Sequence, residues 1–442
     1  MPGPTLPIPI MDAAVPEPRG ASEETQPAAK KLKPTPPQAE AREALCTARL
    51  MDAAEAAAIT VAFEDASHRL PAVMAEHGVA IVTGVLGADD IALLESALSD
   101  DLAELVDANA IASADSSVRA SWERAQAEGL RGWPAASLAA CGGRGRLQDR
   151  GLPHGRFAWG ARMHERTRAV YSVLHGTTDL VSSCDNAFAA TNQPEEQTNK
   201  NWPHVDQNDH DERVPCRDWS IYQGILYLWS SETSHASTTV VWPGSEKHYQ
   251  LYQKDPWVSA RLAAGYPHFT LIATMEAGKD RTALSNGWDA GARRVPVPAG
   301  SLLLWTSRTT HQGWNGGPRL AQPVCWEPRT RRDARARERK MRLAALGLPS
   351  THWASLALPH ELLLEDHGTA HRCSAVSAAP AAEHNDVLLP LRQSIRPRAL
   401  REGVDAEMVW ERLATAPWME PLPTELAQLL EDSISDEFKA VL

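Results

Sequence analysis

Between Leu180 and Trp326 the chain is written in short apolar and β-branched runs, each stopped by a turn rich in Pro, Gly or polar residues. The runs are Leu180 to Ala190, Ser220 to Trp229, Thr238 to Trp242, Phe269 to Ala273, Arg294 to Val297, Ser301 to Trp305 and Leu320 to Trp326. Segments this short and this rich in Val, Ile, Leu, Tyr and Trp read as strands, and strands at this density must pack face to face. The pattern predicts a β-rich, α+β fold built on a β-sandwich or jelly roll with flanking helices.

The flanks carry a different period. Leu50, Ala54, Ala57, Val61, Phe63, Leu70 and Val73 are loosely helical, and the strand Gly78 to Leu86 follows. Asp89 and Asp90 then open an amphipathic run through Ile91, Leu94, Leu98, Leu102 and Leu105, acids standing where a helix N-terminus favours them. Residues 110 to 160 show no clear period and predict loops and short helices. Residues 1–44 are rich in Pro, Ala, Glu and Lys with no aromatic residue, and so predict a disordered tail. The folded domain is expected over 45–353, N-terminal helices included, and a leucine-rich helical extension over 354–442.

A formal net charge of −12 and a pI near 5.7 repel phosphate backbones, so nucleic acid is not the expected partner. The six cysteines are scattered without a CxxC pair and predict reduced thiols rather than zinc or a secreted disulfide framework. Prolines interrupt the opening MPGPTLPIPIMD where a signal peptide needs an apolar run, and no uninterrupted apolar stretch is long enough to span a bilayer. A cytoplasmic, non-membrane protein is expected. The run Lys30-Lys31-Leu32-Lys33 leaves nuclear import as the alternative.

The chemistry concentrates in Trp202-Pro203-His204-Val205-Asp206-Gln207-Asn208 and, far along the chain, in Leu304 to His311. On a strand, residues i and i+2 share a face, so His204 and Asp206 offer an imidazole and a carboxylate to one cavity. With His311 they make two histidines and one carboxylate, the facial set that holds iron(II) in non-haem oxygenases and leaves the opposite positions open. Arg319, at the mouth of the next strand, is placed to hold the distal carboxylate of 2-oxoglutarate, with Arg308, Arg329 and Arg331 as rivals. His210-Asp211-Glu212 is a competing pair in a charged loop. His235 and His248 read as surface histidines. The run Arg329 to Arg342 reads as a solvated helix, with Asp333 to Arg337 and Glu338 to Arg342 spaced for i,i+4 pairs.

Taken in order, GVAIVTGVL (Gly78–Leu86), HVDQN (His204–Asn208), QGILYL (Gln223–Leu228), VVWPGS (Val240–Ser245), PAGSLLLWTSRTTH (Pro298–His311) and Thr351-His352-Trp353 resemble the phytanoyl-CoA dioxygenase-like branch of the iron(II)/2-oxoglutarate-dependent oxygenases. The resemblance runs from Gly78 to Trp353. It implies a double-stranded β-helix (cupin-like) core, iron(II) on His204, Asp206 and His311 as the catalytic set, and 2-oxoglutarate on Arg319. It also implies that Gln207, Gln223, Tyr227 and Trp229 line the cavity as lesser cofactor or substrate contacts. Dioxygen would be the oxidant, ascorbate an accessory reductant, and succinate and carbon dioxide the co-products of hydroxylating a C–H bond in a small molecule. Lipid-like compounds and secondary metabolites are among the substrates it admits. Related halogenases lack the carboxylate held here by Asp206, which favours hydroxylation. Three features depart from the family: Glu246 takes the last place of a turn that usually reads PGSH, with His248 two residues on; the loop Ser230 to Ser237 lacks the glycine usual before that turn; and 265–292 reads as an added lid. The alternatives are a nuclear nucleic-acid-demodifying oxygenase and a non-catalytic cupin-like binding protein.

Overall fold

The computed structural model describes residues 46–108, 129–132, 146–147, 151–190, 199, 202–207, 219–254, 269–270, 290–356, 403, 406–416, 420–433 and 439–442. The chain divides into 1–43 and 44–442, and every described residue belongs to the second unit. The tail, the Lys30–Lys33 run, the His210-Asp211-Glu212 pair and most of 265–292 lie outside the described residues.

In chain order the strands are β1 (Arg49–Leu50), β2 (Thr60–Ala62), β3 (Val79–Thr83), β4 (Arg146–Leu147), β5 (Leu180–Ser182), β6 (Ala187–Ala190), β7 (His204–Val205) and β8 (Tyr222–Tyr227). There follow β9 (Thr238–Val241), β10 (Phe269–Thr270), β11 (Arg293–Arg294), β12 (Ser301–Thr306), β13 (His311–Trp314), β14 (Arg319–Val324) and β15 (Trp326–Pro328). The helices used below are α1 (Ala53–Ala58), α2 (Ala66–His77), α3 (Ala88–Ala108), α4 (Arg156–Met163), α5 (Glu165–His175), α6 (Tyr249–Lys254), α7 (Ala334–Ala345), α8 (Ala406–Thr415) and α9 (Thr424–Ser433).

One sheet runs β2-β3-β12-β8-β14-β6-β4 and the other β1-β11-β9-β13-β7-β10. Followed along the chain, β6, β8, β12 and β14 fall in the first, and β7, β9, β11 and β13 in the second. The chain crosses between sheets at almost every turn, which is the winding of a double-stranded β-helix. Period-two alternation gives the central strands two buried faces. Leu226, Leu302, Leu304 and Leu320 enter the large core on the helical side. Ile225, Tyr227, Leu303 and Trp305 pack with Val241 and Val295 in a second cluster. Burial on both faces is why these strands read as unbroken apolar runs.

Local chemistry sets several boundaries more finely than the helical and strand patterns did. Before His77 the chain is not one helical stretch. Asp52 and Glu55 form a capping box that starts α1, and β2 then pairs in parallel with β3. α2 stops at Gly78, whose φ of 66° suits glycine, and a Cβ there would run into the Glu246 carboxylate and Thr309. The run Leu180 to Ala190 divides into β5 and β6, and Leu320 to Trp326 into β14 and β15, because β5 and β15 leave the main sheets to pair with each other.

The basic run after Arg329 is the clearest correction. α7 is not a solvated helix: Arg339, Lys340 and Arg342 are buried. Asp333 caps the helix instead of pairing with Arg337, which forms an ion pair with Glu431 of α9 at 2.6 Å. Glu338 accepts the Leu422 amide at 3.1 Å. Arg342 donates to the carbonyls of Leu413 (2.6 Å) and Ala416, at the end of α8 where helix carbonyls lack partners. Long basic stems bury readily when their heads find such acceptors. Val409, Leu413, Leu422, Leu426, Leu430, Val441 and Leu442 join the large core, and the Val441 carbonyl accepts the Ser182 amide at 2.9 Å. The C-terminal helices thus cover the structure that carries the strands.

Leu413 is fully buried in that cover. Leu413→Ala should lower unfolding free energy by about 3 kcal/mol in chemical denaturation, whereas a loosely attached extension would register almost nothing.

A buried and a half-buried histidine pin loops to this scaffold: His154 Nε2 meets the Leu348 carbonyl at 2.9 Å and His175 Nε2 the Trp326 carbonyl at 3.0 Å. Burial, reinforced by nearby Arg162 and Arg331 respectively, holds their pKa values down to about 3 and about 4. Both are neutral in the fold and titrate near the ordinary value when unfolded. Their contribution is therefore complete above that value and is lost as pH falls, on the order of 1 kcal/mol per pH unit per histidine. Denaturation midpoints should drop between pH 7 and pH 5, and a flat profile would contradict the assignment.

Candidate metal centre

β7 and β13 are adjacent antiparallel strands in which His204 stands directly opposite His311. Directly opposed residues project on the same face, so the register alone delivers both imidazoles to one side. Asp206 follows β7, and its amide and that of Gln207 both donate to the Ser307 carbonyl, at 3.1 and 3.2 Å. That clamp swings the carboxylate back beside the rings. His311 Nε2 lies 3.1 Å from Asp206 Oδ2 and His204 Nε2 lies 3.7 Å from Oδ1. One ligating atom from each residue falls within 4.8 Å of the others, and all three side chains are buried.

The surrounding groups prepare these atoms for a cation. His204 Nδ1 donates to the Trp202 carbonyl at 3.1 Å and His311 Nδ1 to the Thr309 carbonyl at 3.0 Å, which leaves each Nε2 as the lone-pair nitrogen facing inward. Gln223 Nε2 donates to Asp206 Oδ2 at 2.9 Å. Burial alone would raise the Asp206 carboxyl, but the imidazoles of His352, His204 and His311 outweigh it and hold the group well below the usual carboxylate range. The Trp202 ring stacks on His204 with centroids 4.3 Å apart, and Trp305 closes on His311 at 5.0 Å. Two imidazole Nε2 atoms and one carboxylate on a single face fit a divalent ion with open positions.

These groups line a cavity of about 290 Å³. Arg319 lines it too, from the first residue of β14. Its Nη2 donates to the Tyr227 hydroxyl at 2.9 Å, and its guanidinium lies over the rings of Phe188 and Tyr227, 4.2 and 5.0 Å from their centroids. Its buried Nε has no hydrogen-bond partner among the described residues. The rival arginines are engaged elsewhere. Arg308 lies over Tyr249, Arg329 bonds Asp179 and the Ala440 carbonyl, and Arg331 bonds the Ser220 carbonyl.

Among the lesser candidates, Gln223 lines the cavity and Tyr227 reaches it through Arg319. Gln207 turns behind the centre, where its side-chain carbonyl accepts from Ser307 Oγ at 2.7 Å. Trp229 sits in the helical core, its indole donating to Glu95 and its ring under Arg131. The amides of Leu228 and Trp229 both reach the Leu320 carbonyl, a bulge that ends the alternation placing Gln223, Ile225 and Tyr227 on the inner face. His235 and His248 are exposed. Residues without a signal in the sequence also line the cavity, among them Arg146, Asp185 and Asn186. His352 lies with Nε2 3.8 Å from Asp206 Oδ2. Only its place in the Thr351-His352-Trp353 segment hinted at it.

The sequence matches no family model and no curated protein. Among solved structures, the chain is similar to the epimerase SnoN in complex with Fe3+, alpha ketoglutarate and nogalamycin RO, at 15% identity over 60% of this chain and 85% of that one, with a TM-score of 0.35. HygX from Streptomyces hygroscopicus, with nickel and 2-oxoglutarate bound, shows 14% identity over 59% and 86%, with a TM-score of 0.34. GlcNAc Inducible Gene 2 from Candida albicans shows 12% identity over 82% and 89%, with a TM-score of 0.41. Likeness at this level assigns no chemistry, which must come from the site itself.

Gln223→Leu removes the amide that fixes Asp206 while keeping the volume. Affinity for a divalent ion, read by calorimetry, should fall about 10- to 100-fold. Unchanged affinity would mean that the amide does not orient the carboxylate.

Proposed function

We propose that this chain is an iron(II)/2-oxoglutarate-dependent oxygenase of the phytanoyl-CoA dioxygenase-like kind that hydroxylates a C–H bond of a small molecule. The observation that carries the reading is the convergence of His204 Nε2, His311 Nε2 and an Asp206 carboxylate oxygen within 4.8 Å, at the wall of a cavity that also holds Arg319.

His204, Asp206 and His311 would hold the iron, which with 2-oxoglutarate and dioxygen would supply the oxidising power for the C–H bond, giving succinate and carbon dioxide. The chain's own contribution is placement. Arg319 would take the distal carboxylate of 2-oxoglutarate through a guanidinium already aligned by the Tyr227 hydroxyl and the Phe188 ring. Gln223 keeps Asp206 from rotating. Trp202 and Trp305 wall the imidazoles and keep bulk water from them. The cavity volume favours a small substrate, or the end of a larger one, over a compound buried whole beside 2-oxoglutarate.

The test is production of succinate from 2-oxoglutarate with iron(II) and ascorbate, together with calorimetric titration of 2-oxoglutarate. Wild type should produce succinate even without its preferred substrate, and Asp206→Ala should not. Arg319→Ala should weaken 2-oxoglutarate binding about 10- to 100-fold, the loss of a charge-assisted contact, with metal binding intact. A wild-type protein that neither binds 2-oxoglutarate nor forms succinate would end this reading.

A further inference from the structure

We infer that the wall of the cavity formed by Asp185 and His352 is the subsite for the prime substrate, and that it takes a small molecule presenting a protonated amine. The inference rests on the preceding assignment of the triad to the metal and of Arg319 to 2-oxoglutarate. With Asp206 and Arg319 so committed, the charged side chains left on the lining among the described residues are Asp185 and Arg146, with the His352 imidazole on the same lining.

Asp185 precedes β6 and is held by its backbone, whose carbonyl accepts from Gln322 Nε2 at 3.1 Å and from the buried Arg162 guanidinium. Its carboxylate is served on one side only. Oδ2 accepts from Ser183 Oγ at 2.7 Å, while Oδ1 has no hydrogen-bond partner among the described residues. Burial raises the Asp185 carboxyl, with His352, Ser183, Arg162 and Lys340 pulling the other way. A cation entering the cavity would favour the ionised form and supply a donor to Oδ1. His352 faces the same space. Its Nε2 is buried without a hydrogen-bond partner among the described residues, 3.8 Å from the Asp206 carboxylate, and after burial it is the largest influence on the Asp185 carboxyl. The wall therefore reaches to the edge of the metal centre, where a carbon next to the bound amine would lie close to the reacting position.

Charge sets the orientation. Arg146 pairs across β4–β6 with Phe188, and its guanidinium lies over the Phe188 ring at 5.7 Å, on the other side of which strand Arg319 follows along β14. Of the groups left to a substrate, Asp185 is acidic and Arg146 basic. An ammonium group is drawn to Asp185 and repelled by Arg146, whereas a carboxylate would be drawn to Arg146.

The probes are butylammonium, butan-1-ol and butyrate, which share a four-carbon body and differ in the head group. Each is titrated into protein loaded with manganese(II) and 2-oxoglutarate, and relaxation of the probe protons by the paramagnetic ion is read by NMR. Wild type should bind butylammonium at least fivefold more tightly than the other two and relax its methylene protons. Asp185→Asn should abolish the preference while its manganese(II) and 2-oxoglutarate affinities stay within threefold of wild type. Equal binding of the three probes, a preference for butyrate, binding of none, or butylammonium binding unchanged in Asp185→Asn would overturn the inference. If Asp185→Asn fails to fold, the order of the probes on wild type decides it. Failure of wild type to take up manganese(II) or 2-oxoglutarate would instead sink the oxygenase assignment, and calorimetry with butylammonium on the metal-free protein then tests the subsite alone.

Discussion

The pairing of β7 with β13 is the contact on which the candidate site depends. β7 is only two residues long, and a strand of that length has little hold of its own. It is fixed by its position between β13 and β10 and by the Ser307 carbonyl, which takes the amides of both Asp206 and Gln207. Ser307 is in turn anchored, its amide bonded to the Ile221 carbonyl and its hydroxyl to Gln207. A slip of one residue in this register would send one imidazole to the opposite face and leave no converging set. The geometry of three side chains is therefore a property of backbone hydrogen bonds between segments remote in sequence.

The larger sheet supplies the rigidity behind this. Its central strands are buried on both faces, against the second sheet on one side and against helices on the other. Tyr171 of α5 reaches through to the Val324 carbonyl, and its hydroxyl leaves no room for a side chain at Gly224 on the cavity floor. The helices α7, α8 and α9 interlock through Arg337, Arg342 and Glu338 and press Leu413, Leu426 and Leu430 into the same core. Basic residues that look solvated in a linear reading serve here as tethers between helix ends.

The cavity at the candidate metal centre is lined by both signs of charge. Arg319, Arg146 and Asp185 lie along the β14, β6 and β4 side, while His352 approaches Asp206. A cavity lined by acidic and basic groups can hold two different ligands in fixed orientations, because each is attracted to one group and repelled by the other. The carboxylate of Asp206 stays ionised among three imidazoles, which keeps it available to a cation.

Several features were legible in the sequence for a physical reason. Strand runs such as Ser301 to Thr306 announce themselves because two-sided burial demands apolar residues at every position. His204 and Asp206 could be paired because their spacing is local and strand periodicity is fixed. Arg319 stood out by its place at the start of a strand, while Gln223 and Tyr227 came forward only through the family resemblance of the QGILYL run. Other features depend on contacts that no local pattern encodes. The bulge at Leu228 and Trp229 breaks the alternation along β8, the carbonyls that accept from buried Arg342 lie at the end of a helix distant in sequence, and Asp185 and His352 line one cavity only because the sheets close around them. The sequence by itself determined the strand-rich class and the donor types of the candidate metal set, since both follow from short-range periodicity and side-chain chemistry. Which arginine faces the cavity, which histidine approaches Asp206 and what charge each wall carries were decided by tertiary structure, because register, bulges and helix docking set those directions across long separations in the chain.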